Sequence, residues 1–148
     1  MSNRRKIFIL TVSITLVMWL AGIGRADTGV KRVTLEGFFE ALNQVEASGR
    51  KVNVAKGDFT KDGRFRARGG LQIWEPYFID SRVKGTWDDC EGWDFSKQVV
   101  LAYFKRYEST ALKNEDWQTL ALLHHYGPGW KRQNDRHGYW EKVQKHLR

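Results

Sequence analysis

From Leu35 onward the apolar residues fall at helical spacing. Leu35, Phe38, Phe39, Leu42 and Val45 lie at i, i+3, i+4, i+7 and i+10, one stripe of an amphipathic helix. Thr34 stands where an N-cap belongs, Glu36 sits in the favourable first turn, and Ser48-Gly49 closes the run. The pattern then changes. Val52-Asn53-Val54 alternates, and Asp62-Gly63 is a hairpin turn pair followed by Arg64-Phe65-Arg66-Ala67, which predicts a small antiparallel β element ended by Gly69-Gly70. Leu71-Gln72-Ile73 enters the next element, where Pro76 suits an early helical position and Trp74, Tyr77 and Phe78 are apolar anchors. Gly85–Trp93 reads as a loop, and Ser96 as the cap of a helix carrying Val99, Val100, Tyr103, Phe104 and Tyr107. Asn114 reads as the cap of another, with Leu120, Leu123 and His124 inward and Gly127-Pro128 as its stop. Tyr139, Trp140, Val143 and Leu147 predict a short last helix. The order helix, hairpin, helices defines an α+β class, mainly helical with a small antiparallel hairpin insert.

The N-terminus belongs to a different pattern. Arg4-Arg5-Lys6, an apolar run from Ile7 to Gly24 and the small-x-small step Gly24-Arg25-Ala26 read as an export signal over residues 1–26. An uncleaved leader would instead tether the protein to a membrane, since the run is near the lower limit for spanning. The rest, residues 27–148, is one domain's length. The full chain of 148 residues has a formal charge of +8, and the leader holds four basic residues and no acid, which leaves +4. No block of Lys and Arg survives, so nucleic acid is not an expected partner, while a mild positive charge suits an anionic wall or membrane surface. Cys90 is the sole cysteine, so the domain has no internal disulfide, and it reads as a buried structural residue. His124, His125, His137 and His146 lack metal-ligand spacing, and neither metal nor cofactor is expected.

The candidate chemistry begins with Glu46. It follows Val45 at the end of the first helix, where the negative end of the helix dipole and apolar neighbours both favour the protonated form. Asp58 and Asp62 follow on the predicted hairpin. A helix-end Glu facing a hairpin Asp across a cleft is the two-carboxylate arrangement of glycoside hydrolysis. Six tryptophans remain beyond the leader, and indole faces stack on sugar rings. Trp117 and Trp140 fall on helical stripes and read as core, whereas Trp74, beside Gln72, is the best cleft candidate.

Several segments together resemble the invertebrate-type (destabilase) lysozyme family and its bacterial relatives. They are Ala41–Gly49 with Glu46, Gly57-Asp58, Gly69-Gly70-Leu71-Gln72-Ile73 and Tyr77-Phe78-Ile79-Asp80, then Tyr103-Phe104-Lys105-Arg106-Tyr107, Leu120–His124 with Gly127-Pro128, and Tyr139-Trp140-Glu141-Lys142-Val143. No one motif is strong, but together and in order they are fairly specific. Departures are present. Ala47 interrupts the family's Glu-Ser-Gly step, the Asp58–Gly69 interval is long, Leu122 replaces an Arg, and His125-Tyr126 replaces Asn-Gly. Glu46 followed by Gly70-Leu71-Gln72-Ile73 is also similar to lytic transglycosylases, in which the Glu acts alone. The resemblance implies a lysozyme-like fold and an exported glycoside hydrolase acting on β-1,4 bonds of peptidoglycan. Glu46 would be the acid and Asp58 or Asp62 its partner. Gln72, Trp74, Tyr77, His124 and Tyr126 would line the substrate groove. A single-acid transglycosylase, or an inactive wall-binding module on the same fold, are the other readings.

Overall fold

A computed structural model of the chain describes residues 32–52 and 67–148. The export leader, Asp58, Asp62 and the hairpin turn expected at Asp62-Gly63 lie outside the described residues. Helix α1 spans Leu35–Ala47, β1 Ala67–Arg68, β2 Ile73–Trp74, α2 Glu75–Ser81, α3 Trp93–Tyr107, α4 Ser109–Lys113, α5 Trp117–Tyr126 and α6 Tyr139–Gln144. Short 3-10 turns cover Trp87–Glu91 and Gly127–Arg132. The strands pair antiparallel, with Ala67 opposite Trp74 and Arg68 opposite Ile73. The described part is therefore α+β and mainly helical with a two-stranded hairpin, as the hydrophobic pattern predicts.

Helix α1 forms where its stripe predicts. The Thr34 hydroxyl accepts from the Gly37 N–H at 3.1 Å, and Ser48 ends the helix in the left-handed region. The stripe buries Phe38, Phe39 and Leu42 against Val99, Phe104, Leu120 and Val143. Phe38 is the centre of this packing, stacked on Trp117 with ring centroids 4.8 Å apart and tilted against Phe104. Full burial of such a ring contributes about 1.5–3 kcal/mol.

Strand β1 ends at Arg68, before Gly69-Gly70 as expected, and those glycines form part of the turn joining β1 to β2, with the Gln72 N–H donating to the Gly69 carbonyl. Two expectations are corrected. Ser96 does not cap α3, which starts earlier at Trp93; its hydroxyl donates instead to the Cys90 carbonyl at 2.6 Å and sits fully buried. Asn114 ends α4, and Asp116 caps α5 by accepting from the Thr119 N–H. The stretch before α3 is also more ordered than a loop. The N–H of Thr86 donates to Asp89, which caps the 3-10 turn Trp87–Glu91. The buried Cys90 thiol on that turn is pushed up to about 12, chiefly by desolvation, so it is neutral and structural.

Buried Asn43 ties the end of α1 to the hairpin. Its Nδ2 donates to the Arg50 carbonyl at 2.8 Å and to the Gly70 carbonyl at 2.9 Å. Asn43→Ala leaves two carbonyls without their donor and opens a small void, a loss of about 2–4 kcal/mol in denaturant unfolding. A loss below about 1 kcal/mol would mean that water replaces both bonds.

Candidate active site

Glu46 lies in the last turn of α1, with its side chain 18% exposed at a cavity of about 590 Å³. The position follows from the α1 stripe. Val45 and Ala47 face neighbouring structure, and the adjacent Glu46 meets α6 rather than open solvent. The Tyr139 hydroxyl, from the first turn of α6, donates to Glu46 Oε1 at 2.5 Å. Tyr139 is in turn set by Asp135, whose carboxylate accepts from the N–H groups of Tyr139 at 2.7 Å and Trp140 at 3.0 Å and from the Tyr126 hydroxyl at 3.2 Å. Asp135 stands three residues outside the N-cap, Gly138, and still takes the first free amides of α6, where the helix dipole favours an acid.

Burial raises the Glu46 carboxyl above its usual 4.5, and the Tyr139 hydrogen bond pulls it only partway back. His125 Nδ1 stands 4.0 Å from Glu46 Oε1, and its ring stacks on Tyr139 at 4.1 Å. Burial and nearby positive groups lower the His125 pKa below 6.5, so near neutral pH this contact is not an ion pair.

The cavity is lined by Glu46, Gln72, Trp74, Tyr77, His124 and Tyr126, together with Asp80, Tyr103 and the Gly127-Pro128 step. All the groove residues named from the sequence thus meet Glu46 around one space. Trp74, at the start of α2, is 54% exposed. Tyr77 stacks on Tyr103 with centroids 3.7 Å apart, and its hydroxyl lies 3.3 Å from His124 Nδ1. Burial holds His124 neutral at about 4, and a hydrogen bond to the Leu71 backbone opposes that fall. Its place is that of a buried support for Tyr77 rather than a proton carrier. The Gln72 side-chain amide donates to the Gly69 carbonyl at 2.9 Å, which braces the hairpin turn at the cavity edge.

Three neighbours of the cavity escaped sequence reasoning. Tyr139 and Tyr103 sit on apolar helical stripes, where their hydroxyls carry no periodic signal. Asp80 belongs to a short motif but lacks a local reason to face the cavity; its carboxylate accepts from the Tyr107 hydroxyl and lies 3.4 Å from Arg106 Nη2. The remaining tryptophans are structural. Trp87 Nε1 donates to the Ile73 carbonyl at 2.8 Å, and Trp130 Nε1 to Glu108 at 3.2 Å. Among the described residues no group of three or more His, Cys, Asp and Glu could hold a metal.

No protein-family model matches the chain. Its similarity is to a lysozyme: it is 32% identical over 78 residues to Lysozyme 1 of Crassostrea virginica, a stretch covering 51% of this chain. The match spans 42% of the length of that curated relative.

Proposed function

We propose that this chain is a lysozyme-like glycosidase that cleaves β-1,4 bonds of peptidoglycan, with Glu46 as general acid. The observation that carries the reading is the Glu46 carboxyl, desolvated at the wall of an open cavity and, among the described residues, held by one hydroxyl donor, Tyr139. An acid so placed keeps its proton to a higher pH than a solvated Glu, as a proton donor to a leaving oxygen must. The exposed Trp74 supplies a flat apolar face for a sugar ring. Similarity to a lysozyme supports the substrate class.

In the proposed step Glu46 gives its proton to the glycosidic oxygen as the bond to the anomeric carbon breaks. Glu46 is left ionised, steadied by the Tyr139 hydroxyl, while the positive charge on the ring is met by the carboxylate of Asp58 or Asp62. Water then adds its hydroxyl to the anomeric carbon and returns its proton to Glu46. The reading also places the protein outside the cytoplasm, delivered by the leader over residues 1–26.

The test is mass spectrometry of muropeptides after purified peptidoglycan is digested with the protein. New reducing ends support hydrolysis. Anhydro ends point to a transglycosylase with Glu46 acting alone. No products, where a known lysozyme works, leave a wall-binding module.

Tyr139→Phe gives a second check. Losing a donor that favours the ionised carboxylate raises the Glu46 pKa further, so the alkaline limb of the rate profile moves to higher pH. A limb that stays in place or moves to lower pH removes Tyr139 from this role.

A further inference from the structure

The cavity holds a second acid besides Glu46 that the glycosidase reading leaves unused. We infer that Asp80 is a substrate-holding acceptor, binding a hydroxyl or amide N–H of an N-acetylated amino sugar seated in the cavity that Asp80 shares with Trp74 and Tyr77. The inference rests on the proposed function for its ligand class, but it is carried by the geometry around Asp80.

Asp80 lies near the end of α2 and faces the same cavity as Glu46, with its side chain 33% exposed. Two groups of α3 fix it: the Tyr107 hydroxyl donates to Oδ2, and Arg106 Nη2 lies 3.4 Å from Oδ1. An ionised carboxylate offers about four acceptor positions, so these two partners leave room for a ligand donor. Both partners also hold the carboxylate in one orientation, which reduces the ordering cost of binding.

The two acids line one cavity, whose wall includes the exposed indole of Trp74. A pyranose in that space would present a polar group to Asp80 while a neighbouring linkage meets Glu46. One fixed polar acceptor in a largely apolar wall is what such a binding site uses to orient a ligand.

The experiment uses tri-N-acetylchitotriose as the probe, titrated by calorimetry into the wild type and Asp80→Asn, with rates measured in parallel on peptidoglycan. Asp80→Asn keeps the shape but removes the charge, and a lost hydrogen bond to a charged acceptor corresponds to about 10-fold weaker binding or more. The expected kinetic signature is a KM raised by a similar factor, kcat within about 3-fold and an unmoved pH profile. Tyr107→Phe, which keeps Asp80 but frees it, is expected to weaken the trisaccharide by a smaller factor and covers the case in which Asp80→Asn fails to fold. Unchanged trisaccharide binding in a folded variant overturns the inference, as does a fall in kcat at constant KM, which would make Asp80 a transition-state group. Wild-type binding without turnover would sink the glycosidase reading alone and leave the binding comparison decisive for Asp80. An absence of wild-type binding overturns both.

Discussion

On the proposed function, replacing Glu46 with Gln is expected to abolish cleavage of peptidoglycan while leaving the folded domain at least as stable as the wild type. The rate falls by about 10²–10⁴-fold, the usual contribution of a positioned general acid. The fold survives because the amide oxygen of Gln can still accept from the Tyr139 hydroxyl at the same place. Stability follows from the direction of the pKa shift. Burial raises the folded-state value above 4.5, so the native state binds its proton more tightly than the unfolded chain does. Native stability therefore falls as pH rises from near 4.5 through the raised value, and the penalty is complete above it. Gln carries no such penalty. The variant's Tm should equal or exceed that of the wild type at pH 7, and its advantage should vanish once the pH is below 4.5. Full activity in the variant would remove Glu46 from the mechanism.

Gly69→Ala has the largest expected effect on stability. Gly69 has φ +68, in the left-handed region, and a Cβ added there would lie 1.9 Å from the Cys90 carbonyl oxygen and 2.9 Å from Ser96 Oγ. The first of these is backbone, so no side-chain rotation relieves the overlap. The turn must move away from the 3-10 segment, disturbing the bond from Ser96 to Cys90. The left-handed conformation costs roughly 1–2 kcal/mol for alanine and the overpacking about 1–3 more, so a loss of about 3 kcal/mol or more is expected in denaturant unfolding. Activity should fall with it, because the Gly69 carbonyl also anchors the Gln72 side chain at the cavity edge. A loss below about 1 kcal/mol would show that the turn has room to spare.

What could be read from the chain was what local periodicity encodes. The stripe of α1, its Thr34 cap and its stop at Ser48 follow from side chains within a few residues of one another. The residues gathered around Glu46 were legible through short motifs, because Gln72, Trp74 and Tyr77 flank one hairpin and His124 and Tyr126 end one helix. Pairings across the fold were not legible. Tyr139 meets Glu46 across 93 residues, and at its position on α6 any apolar side chain satisfies the stripe. Ser96 misled for a related reason: a serine before an apolar run signals a cap, yet its hydroxyl answers a buried carbonyl six residues back. Asn114 and Asp116 are both good caps two residues apart, and only the packed turn between α4 and α5 decides between them. Asp58 and Asp62 lie outside the described residues, so the choice between them rests with their separate Asn variants.

The carboxylate of Asp135 bears on more than the start of one helix. Asn134 and Asp135 both adopt left-handed backbone, at φ +48 and +44, and from there Asp135 grips Tyr126, Tyr139 and Trp140 together. One of those residues lines the cavity and another donates to its acid. Asp135 thereby holds the donor to Glu46 from a turn that is not among the residues lining the cavity. Exchanges around residues 134–138 would reach the Glu46 carboxyl through Tyr139, with the cavity wall around it left as it is.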